Sequence, residues 1–142
     1  MSEAEGFDAE QFMRYVRRVG HGGALGIGYV AHGADWAELS LPYDEKLIGM
    51  RESGVIASGP IVSLMDMATS VAIWCRLGRF RHQATLDLRV DYLRPASPGR
   101  TMFGRGECYA VTRSIAFVRG AAHDGDAGDP VAHVAGTFMF TE

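Results

Sequence analysis

The chain has 142 residues, of which 47% are hydrophobic and 22% are charged, and this suits one globular domain with an ordinary buried core. Its formal net charge is −3, from 14 Lys and Arg against 17 Asp and Glu, which gives no broad attraction to nucleic acid or anionic lipid. The N-terminus lacks the basic and apolar regions of a secretory signal, and we expect no apolar stretch long enough to span a bilayer. We therefore expect a cytoplasmic protein without a nucleic-acid or membrane partner, in which Cys75 and Cys108 stay reduced.

The first third of the chain predicts a short helix, two strands and a loop. Apolar side chains recur at helical spacing from residue 7, which predicts an amphipathic helix ending near Gly20. Residues 24–43 alternate as two strands, and the sequence HGAD between them predicts a hairpin turn. Residues 44–54 mix charges with glycine and show no period, so we expect a loop there.

A long helix is predicted over residues 57–77. Its apolar side chains follow the i, i+3, i+4, i+7 rule and would face a core: Ile61, Leu64, Met65, Ala68, Val71, Ala72 and Cys75. Ser58 or Gly59 can cap this helix, Pro60 suits its first turn because the missing N–H would have no intrahelical partner, and Gly78 can stop it.

The opposite face of this helix is neither properly polar nor properly apolar. It carries Asp66 together with Val62, Ser63, Thr69, Ser70 and Ile73. A solvated face would normally carry Lys or Glu, so this mixture predicts contact with another protein surface, most simply a second copy of the chain. We expect a homodimer or a dimer of dimers.

The remainder of the chain predicts an antiparallel meander. In residues 82–96 the even positions from Ala84 to Tyr92 are apolar, and Thr85 is expected on the other, polar side of the strand. Residues 101–111, 114–123 and 130–140 predict three more strands. The fold class is α+β: a single domain over residues 1–142, with residues 1–22 as an N-terminal helix and lead-in, and a curved antiparallel sheet wrapped around one long helix.

Two motifs carry a resemblance to a known family. Residues 57–68 read ASGPIVSLMDMA, and residues 85–99 read TLDLRVDYLRPASPG. They resemble the patterns H-G-G-x-x-x-x-L-x-D-x-A and T/S-x-D-x-x-x-x-Y-x-x-P-A-x-x-G of the PaaI-like, hotdog-fold acyl-CoA thioesterases in the 4-hydroxybenzoyl-CoA thioesterase superfamily. The resemblance implies a hotdog fold and hydrolysis of an acyl- or aryl-CoA. The chain departs from the pattern where Ala57 replaces a histidine and Arg51 replaces an asparagine.

The resemblance also implies catalytic roles for Gly59, Asp66 and Thr85. The Gly59 N–H would hold the thioester oxygen at the positive end of the helix dipole, or Gly59 would serve only as a helix cap. Asp66 of a second subunit would act as base or nucleophile, against the alternative of a carboxylate that pairs with an arginine or caps a backbone. Thr85 would orient the attacking water, or be an ordinary strand residue.

The predicted substrate contacts surround these residues. Ser58 caps or donates to substrate, and Pro60 and Val62 lie at the acyl pocket, while Arg81 and Arg94 are candidates for the phosphates of coenzyme A. The histidines show no metal-ligand spacing, so we expect no metal, and no cofactor besides the coenzyme A of the substrate. Two alternatives stay open: a hotdog module that binds an acyl thioester or aromatic ligand without turnover, and a hotdog hydratase or dehydratase, which would need the missing histidine.

Overall fold

The computed structural model describes residues 6–142. Its helices are α1 (Ala9–Val16), α2 (Gly20–Leu25) and α3 (Ser58–Leu77). Its strands are β1 (Gly28–His32), β2 (Trp36–Leu41), β3 (Ile48–Met50), β4 (Val55–Ile56), β5 (Gln83–Tyr92), β6 (Met102–Val111), β7 (Ile115–His123) and β8 (Ala132–Phe140).

Six of these strands form one antiparallel sheet in the order β1-β2-β6-β7-β8-β5. The long helix α3 lies against this sheet, and its buried residues from Ile61 to Trp74 form the core together with the inward side chains of the strands. This arrangement confirms the predicted α+β hotdog architecture. It leaves β5 and β1 as the two edges of the sheet.

Glycines in β6 let the sheet approach α3 closely. A Cβ on Gly106 would lie 2.8 Å from the carbonyl carbon and oxygen of Ala68, and a Cβ on Gly104 would lie 2.8 Å from the sulfur of Met65. Real Cβ atoms essentially never come so near another heavy atom. The close packing of α3 on the sheet therefore depends on the absence of side chains at these positions.

A β-bulge in β5 changes which side chains face α3. Thr85 pairs with Phe138, but Asp87 pairs with the adjacent Thr137, so Leu86 is the extra residue. Phe138 belongs to the core face of β8, which places Thr85 on that face as well. The prediction that Thr85 points to the polar side of an evenly alternating strand is therefore wrong.

The N-terminal region and residues 44–54 are more structured than the sequence predicts. The first helix ends at Val16 rather than near Gly20, and α2 follows where lead-in and strand were expected. Residues 44–54 hold a 3-10 turn (Glu45–Leu47) and part of the β3–β4 hairpin, not an irregular loop. These elements are short, and therefore leave little periodic signal.

The structure also corrects three expectations about α3. Thr69 and Ile73 are fully buried, not on the outer face. The N-cap residue is Ala57, without a side-chain hydrogen bond, so neither Ser58 nor Gly59 caps the helix, whereas Gly78 ends it in the left-handed conformation at φ 70°. By length and composition alone α3 is apolar enough to cross a membrane, contrary to the expectation, but half of its most apolar stretch is buried inside the domain, as is usual for the core helix of a globular fold.

Candidate active site

The N-terminus of α3 presents backbone donors to solvent. The first N–H groups of a helix have no intrahelical acceptor, and Ala57 has no polar side chain to satisfy them. Pro60 contributes no N–H. Gly59 is exposed, and no heavy atom lies within 4 Å of the place its Cβ would occupy. Because Gly59 is exposed and follows an N-cap without a side-chain hydrogen bond, its N–H is a candidate donor for an oxyanion.

Asp66 and Thr85 form a hydrogen-bonded pair two turns further along α3. The Thr85 hydroxyl donates to Oδ1 of Asp66 at 2.7 Å. Asp66 is half-buried and its second oxygen, Oδ2, accepts no hydrogen bond from residues 6–142. One carboxylate oxygen is therefore oriented by Thr85, while the other is free to accept a proton or to attack an electrophile.

Side chains of strand β5 donate hydrogen bonds to backbone carbonyls of α3 on both sides of the Asp66–Thr85 pair. The Tyr92 hydroxyl donates to the carbonyl of Ser58 at 3.2 Å, and the Gln83 amide donates to the carbonyl of Ser70 at 3.1 Å. Burial raises the pKa of the Tyr92 phenol, and the contact with Ser58 partly offsets that shift. Strand and helix therefore run in opposite directions, with Thr85 held against Asp66 between the two anchors.

One chain does not bring the Gly59 N–H and the Asp66 carboxylate together. They are seven residues apart on one helix, so they share a face but lie roughly 10 Å apart along the axis. A thioester held at Gly59 is therefore beyond the reach of Asp66 of the same chain. This separation is what we expect if a second copy of the chain supplies the carboxylate.

The other predicted substrate contacts fall in two places. Ser58 is exposed, and Pro60 and Val62 are half-buried near the start of α3, next to Gly59. Arg81 lies at the opposite end of α3, where its guanidinium contacts Glu142 at 3.0 Å and stacks over the Phe140 ring at 4.0 Å. Ser58, Pro60 and Val62 are therefore close to the helix N-terminus, whereas Arg81 is not.

Arg94 is engaged in ion pairs within the chain. Its guanidinium contacts both carboxylate oxygens of buried Asp124, at 2.7 and 3.1 Å, and its Nε lies 3.2 Å from Asp129. The Ser97 N–H also donates to Asp124 at 2.7 Å. The Arg94 guanidinium holds the pKa of Asp124 well below its usual range, against the opposing effect of burial. This geometry gives Arg94 a structural role, because it joins the loop between β5 and β6 to the loop between β7 and β8.

The sequence did not predict a contact between α2 and the face of α3 that carries Gly59 and Asp66. His21 Nε2 lies 2.8 Å from Ser63 Oγ, and Ser63 shares the face that carries Gly59 and Asp66. The two residues are 42 positions apart. No periodicity connects a histidine in a short glycine-rich segment to a serine in a later helix, so only the folded chain reveals the pair.

Comparisons with known proteins agree with this fold. The model of the thioesterase superfamily matches residues 53–131, and the chain belongs to this family. In an alignment of length 105, the chain is 29% identical to the medium/long-chain acyl-CoA thioesterase YigI of Escherichia coli, and the match covers 65% of this chain but only 63% of YigI.

Solved structures extend the likeness over nearly the whole chain. A crystal structure of a Pseudomonas aeruginosa protein is 40% identical, with a TM-score of 0.80 over 94% of this chain and 96% of that one. The E. coli PaaI protein from the phenylacetic acid degradation operon is 15% identical, with a TM-score of 0.78 over 94% of both chains, and shows the shared fold.

Proposed function

We propose that the protein is an acyl-CoA thioesterase, a hydrolase that cleaves the thioester of an acyl- or aryl-CoA. The observation that carries the proposal is the Thr85–Asp66 hydrogen bond of 2.7 Å on the same helix face as the open N-terminus at Gly59. Hydrolysis of a thioester needs a base or nucleophile and a donor for the developing oxyanion, and the oriented carboxylate and the helix N-terminus can fill these two roles. Membership of the thioesterase superfamily and the likeness to YigI support the same activity.

In the proposed reaction, the Gly59 N–H donates a hydrogen bond to the thioester oxygen as its charge develops. Asp66 removes a proton from water, or attacks the carbonyl carbon itself, while Thr85 holds the other carboxylate oxygen in place. If Asp66 acts as a base, water adds to the carbonyl carbon, the carbon–sulfur bond breaks, and the proton taken up by Asp66 passes to the leaving coenzyme A thiolate as the carboxylic acid forms. If Asp66 attacks the carbonyl carbon, cleavage of the carbon–sulfur bond leaves an acyl–Asp66 anhydride, which a water molecule then hydrolyses to the acid and the free Asp66 carboxylate. Ser58, Pro60 and Val62 border the thioester and acyl group at the helix N-terminus.

We propose that the working unit is a homodimer in which each site takes Gly59 from one copy and Asp66 from the other. A two-fold axis that sets Gly59 opposite Asp66 passes near Val62 and Ser63. Because Thr85 lies against Asp66 and Tyr92 against Ser58, the same axis crosses β5 near its middle.

The β5 edge is suited to such pairing. Its outer edge pairs with no other strand among residues 6–142, and Leu86 and Leu93 at this edge are 54% and 55% exposed. Antiparallel pairing of two β5 strands about Leu88 would set Asp87 opposite Arg89 of the second copy, an arrangement of unlike charges. A dimer of dimers could assemble from this unit, and we propose a cytoplasmic location, since both cysteines are free.

The activity is tested by incubating the purified protein with acyl-CoAs of short, medium and long chain and with aryl-CoAs, in the presence of a thiol-trapping reagent. We expect release of free thiol from at least one substrate class. If acyl-CoA raises the melting temperature but no thiol appears, the protein binds the thioester without hydrolysing it, and the proposal is wrong.

The shared site is tested by light scattering and by mixing variants. The protein is expected to be a dimer or larger at micromolar concentration. Coexpression of Asp66→Asn and Gly59→Pro chains would restore some activity only if one site draws on both copies, because each mixed dimer then keeps one intact Gly59–Asp66 pair. A monomer with full activity would exclude the shared site.

A further inference from the structure

Three arginines form an exposed cationic face at the end of α1. Arg14, Arg17 and Arg18 are related as i, i+3 and i+4, and the helical turn continues past Val16 because the Arg17 N–H donates to Met13 and the Arg18 N–H to Tyr15. All three are exposed, and none forms an ion pair with a carboxylate of residues 6–142. Within the described part of the chain, their combined charge is therefore not taken up by a carboxylate and is open to an anion from solution.

Contacts of α1 and α2 place the segment that carries these three arginines along α3. The Phe7 N–H donates to the carbonyl of Gly78 at the end of α3, at 3.1 Å. The Phe12 ring packs on Trp74 with ring centroids 4.9 Å apart. Further along, His21 reaches Ser63. The N-terminal segment thus runs along α3 towards its N-terminus, and the arginine face lies between Phe12 and His21.

The hydrogen bond between His21 and Ser63 joins this segment to the face of α3 that carries Gly59 and Asp66. Arg18 precedes His21 by three residues, so their Cα atoms are at most about 11 Å apart. Arg18 is therefore close enough to the site to contact a remote part of a substrate whose reacting carbonyl lies at the end of α3, and Arg14 and Arg17 lie within one helical turn of Arg18.

Coenzyme A thioesters have this extended form, because a flexible pantetheine arm separates the thioester from the phosphates of the nucleotide. In a chain with a net charge of −3, phosphates need a local cluster of positive charge. Of the arginines predicted for this role, Arg81 and Arg94 are already paired with carboxylates. Guanidinium groups bind phosphate oxygens in bidentate fashion.

We propose that Arg14, Arg17 and Arg18 form the phosphate-binding subsite for the coenzyme A part of the substrate. This inference rests on the proposed function, which supplies the acyl-CoA. The subsite adds affinity for the substrate without contact to the reacting atoms, so its contribution is to KM and not to the chemical step.

The test compares two substrates in a triple variant, Arg14→Gln, Arg17→Gln and Arg18→Gln. One substrate is an acyl-CoA, and the other is the same acyl group on pantetheine, which lacks phosphates. The variant is expected to raise KM for the acyl-CoA about tenfold, and less at high salt. The kcat/KM for the acyl-pantetheine is expected to change less than twofold. The control is Arg113→Gln, an exposed arginine in the turn between β6 and β7.

Equal losses on both substrates, or no change on either, would overturn the subsite while leaving the thioesterase proposal intact. Calorimetric titration with coenzyme A itself gives a second measurement that does not depend on turnover. The triple variant is expected to bind coenzyme A about tenfold more weakly than the wild type or the Arg113→Gln control. Equal affinity in all three proteins, or no binding by the wild type, would also overturn the subsite.

Discussion

Substitution of Gly106 by alanine is expected to destabilise the fold by displacing α3 from the sheet. Gly106 lies in β6 between Ala37 of β2 and Gly120 of β7, so its backbone is held from both sides. The new Cβ would lie 2.8 Å from backbone atoms of Ala68 and Thr69. These atoms belong to the helix itself and cannot move away by a change of rotamer.

The distance from the new Cβ to α3 determines how much stability the Gly106→Ala protein loses. Ordinary van der Waals contact begins at 3.4 Å, so the contact of 2.8 Å must lengthen by moving α3 or β6. Such overpacking costs about 1–3 kcal/mol, which lowers the melting temperature by roughly 3–12 °C in a domain of this size. Because α3 carries Asp66, the same displacement would disturb its hydrogen bond of 2.7 Å with Thr85 and reduce activity.

Urea unfolding and thermal melts of a graded series provide the assay. Gly104→Ala is expected to cost less than Gly106→Ala, because its Cβ would meet the flexible side chains of Leu64 and Met65. Gly59→Ala is the matched control, since it lies in the same helix–sheet unit and its Cβ would meet nothing within 4 Å. A Gly106→Ala protein as stable as the wild type would refute the claim that α3 packs too closely on β6 to admit a side chain at this position.

Three further predictions concern single contacts. Thr85→Val is expected to lower kcat about 10- to 100-fold without a change in melting temperature, and Thr85→Ser to keep most of the activity, in steady-state hydrolysis assays; equal rates for both would exclude the orienting role. Because the pKa of Asp124 is held low in the folded protein, its contribution to stability is present above about pH 4 and is lost as the pH falls below the unfolded value. Urea midpoints between pH 7 and pH 3 should therefore fall less in Asp124→Asn than in the wild type, and parallel curves would contradict this. Trp74→Phe removes the 2.8 Å hydrogen bond to the carbonyl of Arg81 and is expected to cost about 1–2 kcal/mol in urea unfolding, so an unchanged midpoint would show that this bond is unimportant.

The architecture was predictable because its long elements carry strong periodic signals. The apolar positions of α3 from Ile61 to Val71 repeat at helical spacing over several turns, and the structure buries them. Strands β6 and β8, and the first half of β7, alternate between buried residues and residues that are half-buried or exposed. In both cases one face of the helix or strand packs against the core, and the spacing of apolar residues in the sequence indicates which face it is.

The site was predictable only in part. A role for Asp66 was predicted from its place in a mixed helix face and from the family motif, and the structure adds its hydrogen bond with Thr85, whose side of the strand was predicted wrongly. One extra residue in β5, Leu86, moves Thr85 to the face of Asp66, and no sequence period marks a bulge. The pairing of His21 with Ser63 depends on how α2 packs on α3, which is a property of the tertiary structure.

The ion pair between Arg94 and Asp124 could not be predicted from the sequence either. An arginine after a strand is compatible with a phosphate contact, a solvated surface position or an internal ion pair. The choice depends on Asp124, 30 residues later, which the loop after β7 brings to a position 2.7 Å from the guanidinium. Charge composition alone cannot distinguish these arrangements, because each uses the same residue types.

The central claim is that Asp66 drives hydrolysis of an acyl-CoA thioester, and kcat of Asp66→Asn on the best acyl-CoA substrate tests it most directly. Asparagine keeps the size of the side chain and can still accept a hydrogen bond from Thr85, but it has no carboxylate to take a proton or to attack the carbonyl. We predict that kcat falls at least about 100-fold, with the melting temperature within a few degrees of the wild type. Hydrolysis by Asp66→Asn at the wild-type rate would contradict the account.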